Sequence, residues 1–173
     1  LLTAASHTTG TDRCQEAWSQ WGDDGAVINL QGDEPFPDPA HLSAICATLR
    51  MNQWDIVSAM RPASQEDVAS PHRVKVAVNA HQQALYFSRS PVPSGGPFQV
   101  HIGIYGFGPG ALTRCAALPQ GTLEKSERLE QLRWLESGMS IGMVSVSEGT
   151  SPGPVDTAED LSRLQLWYQQ QTP

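Results

Sequence analysis

The chain has 173 residues, of which 39% are hydrophobic and 17% charged, and its formal net charge is −7. This composition is typical of a folded domain and excludes the disordered class. The 11 Lys and Arg residues are scattered, which argues against binding a nucleic acid polymer, and no apolar run reaches the roughly 20 residues that cross a membrane. Three cysteines without a Cys-x-x-Cys pair suggest neither a zinc site nor a disulfide framework and indicate a reducing, cytoplasmic setting.

The first third of the chain alternates helices and strands. Apolar residues at helical spacing predict a helix over residues 11–21, and residues 26–30 are typical of a strand that is buried on both faces. Asp38 as N-cap and Pro39 at the first helical position predict the next helix, and residues 55–60 form a second predicted strand. This alternation predicts parallel strands with helices on the faces of the sheet.

The middle of the chain is predicted as an antiparallel or mixed part of the same sheet. Residues 73–79 alternate apolar and polar side chains, which predicts a strand with Lys75 on a solvent-facing side. A second alternating strand places His101, Gly103 and Tyr105 on one face, and the default interpretation of that face is a polar outer surface. The two strands therefore belong to the one domain that we predict for the whole chain.

The last third is predicted to contain two helices and a strand. Residues 122–138 have a strong helical pattern that ends at Gly138. A strand follows over residues 140–147, and Thr157 with Asp160 forms the capping box of a final helix. The predicted fold class is therefore a mixed α/β sheet with helices on both faces.

Two acidic residues follow the predicted structural elements at positions where ligands bind. Asp33 comes after a strand, behind Gly32, and Pro35 then ends the strand ladder. Asp156 directly precedes the Thr157 cap. Each acid has a simple alternative role, as a solvated loop residue or as a charge at a helix N-terminus. Together, two carboxylates at one sheet edge could share Mg²⁺, which prefers oxygen ligands.

Several further polar residues lie at the edges of apolar elements. Arg89 ends a strand and could simply pair with a surface acid. Glu130 and Gln131 flank the apolar stripe of their helix, and a solvated position is the default for both. As a group, these residues and the His101 face have the polarity that a pocket for a sugar with an anionic group requires.

Six stretches, taken in order, carry a family resemblance: "HTTGTDR", "VINLQGDEP", "VKVAVN…ALYFSRSPVP", "HIGIYGF", "LEQLRWLESG" and "VDTAEDL". Over essentially its whole length the chain resembles the 3-deoxy-manno-octulosonate (Kdo) cytidylyltransferases, also called CMP-Kdo synthetases. The resemblance implies a nucleotide-diphospho-sugar transferase-like fold, a homodimer and a requirement for Mg²⁺. It also implies the reaction of CTP with Kdo to give CMP-Kdo and pyrophosphate for lipopolysaccharide biosynthesis.

The resemblance also assigns roles to particular residues. Asp33 and Asp156 match the catalytic, metal-binding aspartates of the family. Gly10, Thr11 and Arg13 match the segment that lies against the cytidine nucleotide. The positions that match the sugar pocket are Gln31, Arg89, His101, Tyr105, Glu130 and Gln131.

One motif of the family is missing from these 173 residues. Family members carry an early segment of the type Pro-Ala-Arg…Arg-Leu-Pro-Gly-Lys, whose basic side chains bind the triphosphate. We therefore expect this chain to be an N-terminally truncated and inactive form of the enzyme. Two alternative hypotheses for the chain are a cytidylyltransferase for another acidic sugar, such as a sialic acid, and a non-catalytic remnant that binds sugar or dimerises.

Overall fold

The computed structural model describes residues 1–7, 9–21, 25–149, 153–155 and 157–171. Its helices are α1 (Gly10–Ser19), α2 (Pro39–Leu49), α3 (Gln65–Ala69), α4 (Ala111–Ala117), α5 (Thr122–Glu127), α6 (Gln131–Glu136) and α7 (Ala158–Gln171). Its strands are β1 (Val27–Leu30), β2 (Ile56–Pro62), β3 (Lys75–Val78), β4 (Ala84–Ser88), β5 (Gln99–Phe107) and β6 (Ile141–Ser145). Within this described part of the chain, no helix is both long and apolar enough to cross a bilayer.

The six strands form one mixed sheet, which confirms the predicted fold class. The long strand β5 is its centre: it pairs antiparallel with β2 along one edge and with β1 and β3 along the other. β6 pairs parallel with β2, and β4 pairs antiparallel with β3. The strands β1 and β2 run in the same direction, as predicted, but β5 lies between them.

The prediction that the first strand is buried on both faces is wrong. Within the described residues, β1 pairs with β5 alone, and of its four residues only Asn29 is buried. Leu30 is 45% exposed. Apolar sequence alone does not separate a strand inside a sheet from one at its margin, because the side-chain pattern of both can be continuous.

Two hydrophobic clusters cover opposite faces of the sheet. The larger one joins β2, β5 and β6 to α4 and α6 and contains the aromatic side chains Phe87, Tyr105, Phe107 and Trp134. The smaller one lies under α2 and is formed by Ile45, Val57, Ala59 and Ile104. The face of β5 that carries His101 and Tyr105 therefore packs on an aromatic core, and its interpretation as a polar outer surface is wrong.

Gly106 sets how closely α2 approaches β5. A Cβ atom there would lie 2.8 Å from Ile45 Cγ2 and closer still to Leu49 Cδ1. We expect Gly106→Ala to lower the free energy of unfolding by about 1–3 kcal/mol, because overpacking forces side chains and backbone to shift. Urea denaturation measures this, with Gly32→Ala as control, since among the described residues no atom beyond its two chain neighbours lies within 4 Å of a Cβ at Gly32. Equal stabilities of the two variants would contradict it.

The single helix predicted over residues 122–138 is broken in two. Arg128 adopts a left-handed conformation, with φ at 57°, and separates α5 from α6. A buried ion pair between Glu124 and Arg133 crosses the break, with nitrogen–oxygen distances of 2.7 and 2.6 Å. Helical periodicity continues through this turn because the leucines on both sides still face the core.

The strand pattern predicted a solvent-facing Lys75, and this prediction is wrong. Lys75 has no exposed surface, and its Nζ donates to the carbonyl oxygens of Ser70, Arg73 and Arg89 at 2.8, 2.6 and 2.5 Å. Burial lowers the pKa of this amine from its usual 10.5. The ammonium thus joins three chain segments beneath the surface.

Candidate functional site

A cleft of about 760 Å³ opens at the C-terminal end of β1. Four of the predicted site residues line it: Gln31, Asp33, Arg89 and His101. They come from three separate parts of the sequence, which the antiparallel centre of the sheet brings together. Ends of strands are common ligand-binding positions in α/β proteins, and the cleft lies at such an end.

Asp33 lies in the loop after β1, exposed at the mouth of the cleft. The Val155 amide donates to the carbonyl oxygen of Asp33 at 2.9 Å, so the segment that precedes Asp156 meets this loop. Asp156 itself lies outside the described residues. Among the residues that the structure describes, no three His, Cys, Asp or Glu side chains form a metal cluster, and metal binding by the two aspartates stays a prediction.

His101 is half-buried on β5, between the cleft and the aromatic cluster. Its Nε2 lies 2.8 Å from Ser58 Oγ, and its ring packs against Phe87 and Tyr105 at centroid distances of 5.2 and 5.3 Å. Burial lowers the pKa of His101 from its usual 6.5 to about 3, because the apolar surroundings disfavour the charged ring. At neutral pH this side chain is a neutral hydrogen-bonding group.

The lowered pKa of His101 makes stability depend on pH. Between pH about 3 and 6.5 the unfolded state binds a proton that the folded state does not, so stability rises with pH across that window. We expect His101→Asn to reduce the loss of unfolding free energy between pH 7 and pH 4 by about 3 kcal/mol. Urea denaturation at both pH values measures this, with the exposed His81→Asn as control. A loss equal to that of the wild type would contradict it.

Arg89 is held rigidly at the cleft wall. Its Nε and Nη1 donate to the carbonyl oxygens of Glu127 and Pro71 at 3.2 and 3.1 Å, and Nη2 lies 3.5 Å from that of Arg128. The Glu127 carboxylate accepts from the Arg89 amide and from Ser88 Oγ, both at 3.1 Å. The break between α5 and α6 therefore provides the groups that orient Arg89.

The same break also contacts the segment predicted to lie against the nucleotide. Thr11 Oγ1 donates to Glu130 Oε2 at 2.8 Å. Gly10 lies beside the Gln31 side chain, whose Oε1 would be 3.2 Å from a Cβ at this glycine. Arg13 donates to backbone carbonyls of the first seven residues. Gly10 thus lies beside a cleft residue, Thr11 bonds to Glu130, and Arg13 holds the first seven residues; none of the three lines the cleft.

Three predicted sugar-pocket residues do not line the cleft. Tyr105 and Gln131 are buried, and the interpretation of Gln131 as part of a solvated helix face is wrong. Glu130 is directed inward, and burial raises the pKa of its carboxyl. Within the described residues, Glu130 Oε1 is buried with no hydrogen-bond donor, the nearest Arg133 nitrogen being 3.8 Å away. Their contact with a sugar stays a prediction.

Sequence reasoning missed the part of the cleft that precedes β3. Arg61, Asp67 and Arg73 line it, and α3 holds Asp67 through a capping box with Ser64. The Ser-x-x-Asp spacing of that box was a readable signal. The cleft position of Arg73 had no such signal, because the alternating pattern of residues 73–79 places Arg73 on a solvent-exposed strand face.

The profile of a cytidylyltransferase family matches residues 1–141. A 3-deoxy-manno-octulosonate cytidylyltransferase from Xanthomonas campestris pv. campestris (strain 8004) is 41% identical over 181 residues, covering 95% of this chain and 72% of the relative. The chain belongs to the 3-deoxy-manno-octulosonate cytidylyltransferase family. The predicted resemblance is thereby confirmed.

Another member of this family and two solved structures are also similar to this chain. The 3-deoxy-manno-octulosonate cytidylyltransferase of Rickettsia bellii (strain OSU 85-389) is 39% identical, covering 98% of this chain and 70% of that protein. A CMP-2-keto-3-deoxy-manno-octonic acid synthetase solved with CTP superposes with a TM-score of 0.90 at 33% identity, covering 99% of this chain and 72% of that one. A putative glucose-1-phosphate thymidylyltransferase from Bacillus anthracis, with a TM-score of 0.60 and 13% identity over 96% of this chain and 63% of that one, shares only the fold.

Proposed function

We propose that this cytidylyltransferase transfers CMP from CTP to Kdo, giving CMP-Kdo and pyrophosphate for lipopolysaccharide biosynthesis. The observation that carries the proposal is the superposition, over 99% of the chain, on a synthetase solved with CTP. The cleft supports it as well, because it combines an exposed aspartate with a rigid arginine and a neutral histidine. Such groups can bind a sugar acid and a metal-bound triphosphate side by side, which supplies the orientation that the reaction needs.

The chemistry of the residues fits Mg²⁺ as the cofactor. The exposed Asp33 carboxylate is a hard oxygen ligand, and Val155 beside it leads directly into Asp156 in the chain. We propose that Asp33 and Asp156 hold the ion. When bound, Mg²⁺ would offset the negative charge of the triphosphate and activate the attacking sugar hydroxyl.

The other site residues would bind and orient the substrates. The Arg89 guanidinium is held by backbone carbonyl oxygens and has no carboxylate ion pair among the described residues, so its charge is available to an anionic group. His101, neutral at working pH, offers a hydrogen bond to a sugar hydroxyl, and Glu130 Oε1 is a buried acceptor that has no donor among the described residues. We assign Gln31, Tyr105 and Gln131 to the sugar side by family match.

We further propose a cytoplasmic homodimer. Leu161, Leu166 and Tyr168 of α7 are 46%, 61% and 54% exposed, and Phe36 stacks against Tyr168 at 5.8 Å. Apolar surface of this kind on one helix favours an interface with another protein chain. Analytical ultracentrifugation would measure the assembly, and a monomer at all concentrations would contradict the homodimer.

The activity test uses two proteins. One is residues 1–173, and the other is the same chain joined behind the triphosphate-binding segment of a family member. Pyrophosphate release is measured with CTP, Mg²⁺ and either Kdo or a sialic acid. We expect the joined protein to release pyrophosphate with Kdo. Residues 1–173 alone should release little, because the basic side chains of that segment bind the triphosphate. Release with sialic acid and not Kdo would overturn the substrate assignment.

A further inference from the structure

The arginines of the described chain differ in what neutralises them. Four have a close carboxylate: Arg61 with Asp67, Arg114 with Asp55, Arg133 with Glu124, and Arg163 with Asp160. Two further arginines line the cleft: Arg89 has no carboxylate ion pair among the described residues, and Arg73 has only a long one with Asp67. A half-buried guanidinium without a carboxylate at hydrogen-bonding distance can use its charge and its N–H donors to bind an anionic ligand.

Arg73 approaches one acid without bonding to it. Its Nε is 4.0 Å from Asp67 Oδ1, beyond hydrogen-bond length. Both oxygens of that carboxylate already accept from Arg61, at 2.7 and 3.1 Å, and one also accepts from the Ser64 amide at 2.9 Å. Asp67 is therefore bonded mainly to Arg61, and its ion pair with Arg73 is long and lacks a hydrogen bond.

The guanidinium of Arg73 extends toward residues 153–155, which precede the proposed metal ligand Asp156 in the chain. Its Nη1 would lie 3.8 Å from a Cβ at Gly153, and the segment 153–155 meets Asp33 through the Val155 amide. The side chain is only 23% exposed. Its donors thus lie in the cleft, between β3 and the segment that leads to Asp156.

The backbone beneath Arg73 is fixed by the same group that fixes Arg89. Lys75 Nζ donates to the carbonyl oxygens of both arginines, at 2.6 and 2.5 Å, from a fully buried position. One buried group therefore holds the backbones of both arginines, although 15 residues lie between them in the sequence. Rigid attachment reduces the ordering cost of binding a ligand.

We propose that Arg73 is a further substrate-recognition residue, which binds the carboxylate of the acidic sugar. The inference rests on the proposed function and adds a residue to the sugar side of its cleft. An anionic sugar enters a chain of net charge −7 past Asp33, and a nearby side-chain cation offsets part of that repulsion in addition to the proposed Mg²⁺. Among cations, the planar fork of arginine matches a carboxylate best, because it forms two parallel hydrogen bonds.

The test measures binding rather than turnover. Isothermal titration calorimetry of the joined protein that carries the triphosphate-binding segment, with Mg²⁺ present, gives separate dissociation constants for Kdo, for the neutral carboxamide of Kdo and for CTP. We expect Arg73→Gln to weaken Kdo about tenfold, as for loss of charge-assisted hydrogen bonds, and to change CTP less than about twofold. The carboxamide is expected to bind wild type and variant equally. The control is Arg50→Gln, which removes an exposed arginine outside the cleft.

Each result has a distinct meaning. Unchanged Kdo affinity in Arg73→Gln, with normal binding to the wild type, would overturn this inference and leave the proposed function intact. Weakened CTP with unchanged Kdo would show that the anion is the triphosphate, which overturns the carboxylate assignment. If the wild type bound neither Kdo nor a sialic acid, the proposed function would fail and this inference with it. Circular dichroism checks folding, and Arg73→Lys, with an expected loss of about threefold, serves if the Gln variant does not fold.

Discussion

Asp33→Asn is expected to reduce turnover about a thousandfold in the joined protein that carries the triphosphate-binding segment. The amide keeps the size of the side chain but loses the negative charge that would hold Mg²⁺, and a bound metal contributes several kcal/mol of transition-state stabilisation. Because Asp33 is exposed in its loop, the substitution should leave the unfolding free energy within about 0.5 kcal/mol of wild type. Initial rates of pyrophosphate release, with CTP and Kdo saturating, measure the loss.

Two measurements separate metal binding from a general charge effect. Glu34→Gln removes the same charge from the next position of the loop and is expected to change turnover less than about threefold. Titration with Mn²⁺, followed by electron paramagnetic resonance, should show weaker metal binding for Asp33→Asn and not for Glu34→Gln. Unaltered Mn²⁺ affinity in Asp33→Asn would remove this aspartate from the metal site.

Arg133→Met is expected to lower the free energy of unfolding by about 3–5 kcal/mol, the largest stability effect that we predict. The Arg133 and Glu124 side chains are 6% and 7% exposed and form two short hydrogen bonds. Removal of the arginine leaves the Glu124 carboxylate buried without its partner. Urea denaturation at pH 7 measures the change.

The pH dependence of this variant provides a second check. The hydrogen bonds from Arg133 lower the pKa of Glu124 below its ordinary 4.5. The pair therefore stabilises the fold above that value, and the stabilisation is lost as the pH falls through the lower folded-state pKa. The stability gap between wild type and Arg133→Met should thus narrow in acid.

The matched control replaces both partners. Glu124→Leu with Arg133→Met leaves no buried charge, so we expect it to recover more than half of the stability lost by the single variant. If the double variant were no more stable than Arg133→Met, the loss would come from packing rather than from the orphaned carboxylate. A loss below about 1 kcal/mol in the single variant would contradict the buried-pair interpretation altogether.

Much of this protein was determined by its sequence alone. The helix over Pro39–Leu49 begins where Asp38 caps it, and Thr157 with Asp160 forms the expected capping box. Such signals are local, because a side chain bonds to backbone groups within a turn of itself. The mixed α/β class and the family were equally readable, since periodicity and ordered motifs do not depend on how distant segments meet.

Only the tertiary structure decided the environments of the charged groups. The sequence pattern predicts a solvent-exposed Lys75, yet this side chain is buried and donates to the carbonyl oxygens of three residues. Likewise, Arg128 breaks a helix whose apolar stripe continues through it, and that turn orients Arg89 and brings Glu130 to Thr11. The physical reason is that desolvation and hydrogen bonding depend on atoms far apart in the chain, which residue spacing does not specify. The polar wall of the cleft, with Arg73 in it, is a product of that packing.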